Sequence, residues 1–272
     1  MKDSVLRVNQ LHVEREGKKI IQGLDMDLPP GEVHIVMGPN GAGKSTFAHA
    51  LAGHPFYSIP QGTALLHDRD LLVLDPEERA ALGLFVGFQN PVEVPNVQMS
   101  EWVHVALDAL QESQASLSPE ERKRRGLEDE GWDAEKRIRS ACESLGLSES
   151  WLSRQLNEGL SGGEKKKNEV LQLLLFGGSC AILDETDSGL DVDAITTTAQ
   201  GIRSWMRPER SLLVITHYHR FIQLLSPDRV HIMMNGSLVE SGDMGLADRV
   251  NQKGYQEWGY QEEEYREREY QK

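Results

Sequence analysis

One run constrains this chain more than any other: His34-Ile35-Val36-Met37-Gly38-Pro39-Asn40-Gly41-Ala42-Gly43-Lys44-Ser45-Thr46. Apolar residues lead into a glycine-rich turn, and Lys-Ser-Thr opens a helical pattern. Gly38, Gly43, Lys44 and Ser45 fill the fixed positions of G-x-x-x-x-G-K-[ST]. Such a loop lets backbone N–H groups curl around phosphate oxygens, since a Cβ at the glycines would block the approach. The helix behind it points its N-terminus at the same anion. Gly38, Pro39, Asn40, Gly41, Ala42, Gly43, Lys44, Ser45 and Thr46 are therefore read as a phosphate cradle. Lys44 is placed to reach the β- and γ-phosphates of a nucleotide, and Ser45 to hold Mg²⁺.

The bulk composition narrows what else the chain does. It has 272 residues, enough for one large α/β domain or a core with an inserted subdomain. Its 29 Lys and Arg against 43 Asp and Glu leave a formal charge of −14. An acidic surface argues against nucleic acid or anionic lipid as partners, though a small basic pocket for ATP is compatible with it. No apolar run reaches membrane-spanning length, so no direct membrane insertion is expected. Met1-Lys2-Asp3-Ser4 leads straight into a strand pattern, unlike a signal or transit peptide. The two cysteines, Cys142 and Cys180, have no metal-ligand spacing. Cys142 shares a helical stripe with Ala134, Ile138, Ala141 and Leu145, and Cys180 opens an apolar strand, so both read as small core residues. A reducing, cytoplasmic setting is the expectation.

Along the chain, residues 5–28 alternate with period two and read as half-buried antiparallel strands. Pro29-Pro30-Gly31 turns the chain into the central strand. Phe47 and Leu51 share a helix face that Gly53 and Pro55 close. Residues 62–74 again look β-like. Asp75-Pro76-Glu77-Glu78 starts a short helix with a capping box. Leu84-Phe85-Val86-Gly87-Phe88 reads as a buried strand. From Val92 to about Gly159 helical patterns take over, with a charged stretch from Glu120 to Glu130 read as solvated surface. From Ser161 the α/β alternation resumes, with strands at Cys180–Leu183 and Leu212–Ile215 and a helix closed by Gly177-Gly178. Asn235-Gly236 signals a tight hairpin. After Lys253, Tyr255, Tyr260, Tyr265 and Tyr270 recur every five residues, a period that fits neither helix nor strand, so this end reads as a low-complexity extension. The expected division is a domain over 1–250, with a helical subdomain inserted at about 92–165, and a tail over 251–272.

Three further constellations carry chemistry. Ala181-Ile182-Leu183-Asp184-Glu185 delivers two acids to the C-terminal end of a strand, where the ligand crevice of such a sheet lies. Asp184 is placed to bind Mg²⁺, and Glu185, one residue on, to polarise the attacking water. Leu160-Ser161-Gly162-Gly163-Glu164 opens a helix with unblocked N–H groups and a hydroxyl, a second anion site. Gln89 at a strand end is a ligand for Mg²⁺ or water and a hinge into the insertion. His217 follows the strand Val214-Ile215-Thr216 by one step and is read as a γ-phosphate contact.

In this order the phosphate loop, Gln89, Leu-Ser-Gly-Gly-Glu, Ile-Leu-Asp-Glu, Ser188-Gly189-Leu190-Asp191 and His217 resemble an ABC-type ATPase cassette over residues 5 to about 245. The resemblance implies an α/β fold: a P-loop, RecA-like parallel sheet core with an N-terminal antiparallel β subdomain and an inserted α-helical subdomain. It also implies ATP hydrolysis at a dimer interface, each ATP lying between one subunit's phosphate loop and the other's Ser161-Gly162-Gly163. On that reading Glu185, His217, Gln89 and Lys44 are the catalytic residues, with Gln89 and His217 sensing the γ-phosphate. The details resemble the SufC-type cassettes of iron–sulfur cluster assembly. These are Glu164-Lys165-Lys166-Lys167-Asn168-Glu169, Phe88-Gln89-Asn90-Pro91-Val92-Glu93-Val94-Pro95, Asp184 through Asp193, and Thr216-His217-Tyr218. That likeness implies SufB-like and SufD-like scaffold partners, ATP-dependent self-association, and a Lys166 that pairs with Glu185 to hold it off-duty. The alternative is the ATP-binding subunit of a membrane ABC transporter. Glu14-Arg15-Glu16-Gly17 lacks the aromatic residue that many cassettes stack on adenine, which leaves Val13 to pack against the base.

Overall fold

The computed structural model describes residues 4–89, 91–115, 117–124 and 133–259. The chain opens with β1 (Leu6–Arg15) and β2 (Lys18–Leu28), an antiparallel pair in which Leu6 faces Leu28 and Arg15 faces Lys18. β3 (Val33–Met37) leads through the glycine loop into α1 (Lys44–Ala52), which Gly53 closes at φ 82°. β4 (Ser58–Leu66), β5 (Arg69–Asp70), α2 (Pro76–Leu82) and β6 (Leu84–Gly87) follow. The expected strand at 62–74 is thus a strand ending at Leu66, a two-residue strand and a 3-10 turn, because Asp70 caps Leu72 and bends the chain. The capping box at Asp75 and Glu78 is present.

The inserted region contains α3 (Met99–Ala115), α4 (Pro119–Arg124) and α5 (Ala134–Ser144). It also holds β7 (Val94–Gln98) and β8 (Gln155–Leu156), a two-stranded antiparallel ribbon that the helical patterning concealed. Most of the charged stretch after Arg124 lies outside the described residues. α6 (Gly162–Phe176), β9 (Cys180–Asp184), α7 (Val192–Trp205), β10 (Ser211–Ile215), α8 (His219–Leu225), β11 (Arg229–Met234), β12 (Ser237–Gly242) and α9 (Met244–Lys253) complete the chain. Asn235 and Gly236 turn the last hairpin at φ 48° and 81°, the two positive values that a type I′ turn requires.

Two main sheets result. One is antiparallel, in the order β2-β1-β4-β5; the other runs β12-β11-β3-β10-β9-β6, parallel except for β12. Side-chain alternation divides the interior. Ala181, Leu183, Leu212 and Val214 face the helical side with α6, α7 and α8, whereas Cys180, Ile182, Leu213 and Ile215 face α1 and the antiparallel sheet. A strand buried on both faces is a continuous apolar run, which is how these strands read. Cys142 and Cys180 are both buried, and neither forms a disulfide. Gly177 and Gly178 follow α6 for a reason other than a left-handed cap. Gly177 has no positive φ, and a Cβ there would lie 2.4 Å from the Trp205 indole nitrogen and from the Leu173 carbonyl. One at Gly178 would lie 2.4 Å from the Gly83 Cα.

Tyr260, Tyr265 and Tyr270 lie outside the described residues. The start of the expected tail, however, belongs to the fold. α9 runs to Lys253, Tyr255 and Trp258 pack on the core, and the Trp258 indole donates to Glu240 at 2.8 Å.

Candidate active site

β6, β9, β10 and β3 are adjacent and parallel, so their C-terminal ends share one edge. That edge brings Gln89, Asp184, Glu185, His217 and the phosphate loop together. The backbone ties them: the Glu185 N–H donates to the Ile215 carbonyl at 2.9 Å, and the Thr216 N–H to the Val36 carbonyl at 3.3 Å.

The loop itself is held by close packing. A Cβ on Gly38 would lie 2.3 Å from the Met233 carbonyl oxygen, so only glycine fits. Gly41 and Gly43 take φ 76° and 106°, where other residues are strained. Lys44 is buried, and its ammonium donates to the Gly38 and Pro39 carbonyls at 2.8 and 3.0 Å. Two of its three donors thus brace the cradle and one is left for an anion. Burial lowers the Lys44 pKa, while Glu185 and Asp184 oppose that shift.

Asp184 ends β9 with both carboxylate oxygens buried and without a hydrogen-bond partner. The Ser45 hydroxyl stands close enough to favour the charged form without completing a bond, whereas burial pushes the pKa up. A buried carboxylate with no donors is costly unless a cation completes it. The oxygen donors of Asp184 and Ser45 beside a phosphate cradle suit a hard divalent ion such as Mg²⁺.

Glu185 adopts φ 51°, a left-handed conformation that costs a non-glycine residue about 1 kcal/mol or more. Its carboxylate accepts the Gln89 side-chain amide at 2.5 Å. The Lys166 pairing implied by family likeness is not present. The Lys166 ammonium instead donates to the Gln89 carbonyl at 2.9 Å and faces Glu169 at 3.4 Å. The physical reason is depth: both Lys166 and Glu169 are buried on α6, one turn apart, while Glu185 sits nearer the surface. His217 is exposed beyond β10, and Asp187 beside it accepts the Thr216 hydroxyl at 2.8 Å. Val13 is fully buried among the strands of the antiparallel sheet and has no face to offer a base.

The turn at Ser161, read from the sequence as a second anion site, is capped within the chain. Ser161 caps α6, with its hydroxyl accepting the Glu164 N–H at 3.3 Å and its own N–H donating to the Glu164 carboxylate at 2.8 Å. Arg154 donates to the same carboxylate at 2.6 Å and stacks on Trp151 with the ring centroid 5.0 Å away. The Arg154 hydrogen bond and those from Ser161 draw Glu164 down to about 2. Sequence reasoning passed over this brace, although the Ser-x-x-Glu spacing of 161–164 is a capping-box signal. Ser161 and Gly162 are exposed, and among the described residues no hydrogen bond joins this turn to the phosphate loop.

A family profile described as "ABC transporter" matches residues 21–188. A Pyropia yezoensis protein named "Probable ATP-dependent transporter ycf16" is 40% identical over 95% of this chain and 98% of its own length. "Probable ATP-dependent transporter SufC" of Escherichia coli (strain K12) is 40% identical over 92% of this chain and 97% of its own. A solved structure titled "Structure of ATP binding subunit of ABC transporter" superposes with a TM-score of 0.71 at 23% identity, covering 92% of this chain and 94% of that one, which bears on the fold. The motif order, the cradle, the orphaned Asp184 and these likenesses agree: the chain belongs to the ABC transporter family of ATP-hydrolysing cassettes and, within it, stands with the SufC-type ATPases.

Proposed function

We propose that this ATPase is the ATP-hydrolysing subunit of an iron–sulfur cluster assembly scaffold, working on SufB-like and SufD-like partners. The observation that carries the reading is the 40% identity to the Escherichia coli protein named SufC across almost the whole of both chains. The catalytic part rests on the exposure of Ser161 and Gly162, which no hydrogen bond ties to the phosphate loop among the described residues. ATP draws two copies together so that the Ser161-Gly162-Gly163 turn of one meets the triphosphate held by Gly38 to Thr46 of the other.

In that arrangement the loop amides and Lys44 hold the phosphates. Ser45, Asp184 and Gln89 are the residues that would hold Mg²⁺, which spreads the charge of the β- and γ-phosphates when bound. Glu185 orients the attacking water and takes up its proton as the phosphoryl group departs. Gln89 and His217 meet the γ-phosphate and report its presence. Adenine recognition falls to residues other than Val13.

Two measurements test this. Glu185→Gln should lower steady-state turnover at least about a hundred-fold while ATP binding persists; undiminished turnover would remove Glu185 from its role. A pull-down from soluble lysate should recover scaffold proteins in a fixed ratio. The word "transporter" in the relatives' names favours a second reading, a cassette serving a membrane protein. Co-purification with a polytopic membrane protein in place of scaffold proteins would decide for it. No helix among the described residues is long and apolar enough to cross a membrane.

A further inference from the structure

The phosphate loop lies at the C-terminal end of β3. At the other end of the sheet, where β3 and β11 begin, a cleft of about 600 Å³ opens against the antiparallel sheet. Small-molecule sites commonly have this size, about 300–1,000 Å³. Arg7, Glu32, Arg229, His231 and Ser241 form the polar part of its wall, and Met26 and Leu238 an apolar part. The ATP site uses none of these residues.

Two buried histidines join two points of that wall through the interior. Ser241 Oγ lies 2.7 Å from His231 Nδ1, His231 Nε2 lies 3.1 Å from His34 Nδ1, and His34 Nε2 lies 2.9 Å from a Glu32 oxygen. The histidines are 6% and 1% exposed, while Ser241 and Glu32 reach the cleft. The relay fixes the polarity of both ends. A carboxylate only accepts, so His34 donates to Glu32 from Nε2 and accepts on Nδ1. His231 donates to it from Nε2 and accepts on Nδ1, so Ser241 spends its one proton inward. Ser241 therefore shows the cleft lone pairs alone, and Glu32 shows its second oxygen. Both call for a donor.

Arg229 is the opposite case. It begins β11, is exposed, and among the described residues makes no hydrogen bond or ion pair. The aspartates nearby are engaged: Asp228 accepts the Val33 N–H at 2.8 Å, and Asp25, also in the cleft, accepts the Gln10 N–H and side-chain amide at 2.7 and 2.5 Å. Arg7 faces Asp27 at 3.9 Å. A lone anion drawn to Arg229 would also meet Glu32 and Asp27, and a lone cation drawn to Glu32 would also meet Arg229. A molecule that carries both charges answers both ends of the wall.

We infer that this cleft binds a small zwitterion of the α-amino-acid type, with its carboxylate on Arg229, its ammonium on Glu32 and Ser241, and an aliphatic side chain against Met26 and Leu238. The site is distinct from the ATP site and does not rest on the function proposed above.

The test is a titration of the purified full-length chain, followed by ligand-observed NMR at constant ionic strength. The probes are L-leucine, isocaproate, which lacks the ammonium, and isoamylamine, which lacks the carboxylate. Leucine should bind with a Kd of about 1 mM or tighter. Each of the other two should bind at least about ten-fold more weakly, since it forgoes one charged pairing. Arg229→Gln should weaken leucine about ten-fold and leave isoamylamine unchanged, because only leucine brings a carboxylate to that position. Arg229 is exposed and unpaired, so the variant should fold, and MgATP turnover at the parent level checks that it has. Leucine that fails to bind at about 20 mM overturns the proposal. So does leucine that binds no more tightly than isocaproate or isoamylamine, and so does a folded Arg229→Gln chain that binds leucine as the parent does.

Discussion

At the scale of single residues, the loop depends on an atom that is missing. Gly38→Ala would push a methyl group to 2.3 Å from the Met233 carbonyl oxygen. Overpacking of this kind costs about 1–3 kcal/mol, and the backbone that moves is the phosphate cradle. We expect a lowered Tm together with lost ATP binding, read by thermal melts and nucleotide titration. A second residue-scale prediction concerns acid. His34 and His231 are buried and linked at 3.1 Å, with Glu32 at 2.9 Å on one side and Ser241 at 2.7 Å on the other. One set of neutral tautomers satisfies every bond: Ser241 donates to His231, His231 to His34, and His34 to Glu32. Burial, then the charges of His34 and Arg229, push His231 down to about 4. Burial lowers His34 as well, against the pull of Glu32 and Asp228. The unfolded chain takes up protons near pH 6.5 that the folded chain refuses. The contribution of the pair is therefore full above that value and falls as pH drops toward 4, by about 3 kcal/mol for His231. Burial also raises Glu169 to about 7, a shift of the opposite slope, so the comparison is between variant and parent. Urea melts between about pH 7.5 and 4.5, each protein set against its own value at pH 7.5, should show the parent losing more stability toward acid than His34→Asn/His231→Asn.

Among the elements, α6 has the most to do. Its first turn is the proposed second anion site, its second and third turns carry the buried Lys166–Glu169 pair, and its end is pinned where Gly177 passes Trp205. Gly177→Ala should cost about 1–3 kcal/mol, because the clash is with an indole and a carbonyl of the interior; a Tm unchanged from the parent would contradict it. The elements legible in the sequence were those whose chemistry is local. The apolar run into Gly38, the acids ending β9 and the Asn235-Gly236 hairpin each announce themselves by spacing. Asn157 shows where legibility stops. It sits at φ 61°, accepts from Asn168 at 2.8 Å and donates to the Val92 carbonyl at 2.9 Å, tying α6 to the segment after Gln89. Nothing in the spacing of these residues signals contact across that many positions. The same holds for Lys166, whose true partners depend on how deep α6 lies, and for β7 and β8, too short to stand out against the helices around them.

On the proposed function, the molecule as a whole is half of a catalytic unit. If each site combines one copy's loop with the other's turn, Lys44→Ala and Gly162→Glu chains should each be inactive alone. Mixed in equal amounts, half of the pairs are mixed and each mixed pair has one intact site of two. Activity should then return to about a quarter of the parent value under two-fold symmetry. A mixture as inactive as its components would show that the sites are not shared. The brace around Ser161 bears on how the two copies meet. Glu164, gripped by Arg154 and by the backbone it caps, already has the geometry of the finished turn. If two copies assemble as proposed, the entropic toll falls on the face that brings the nucleotide, while the receiving face is braced beforehand, a lock cut before its key.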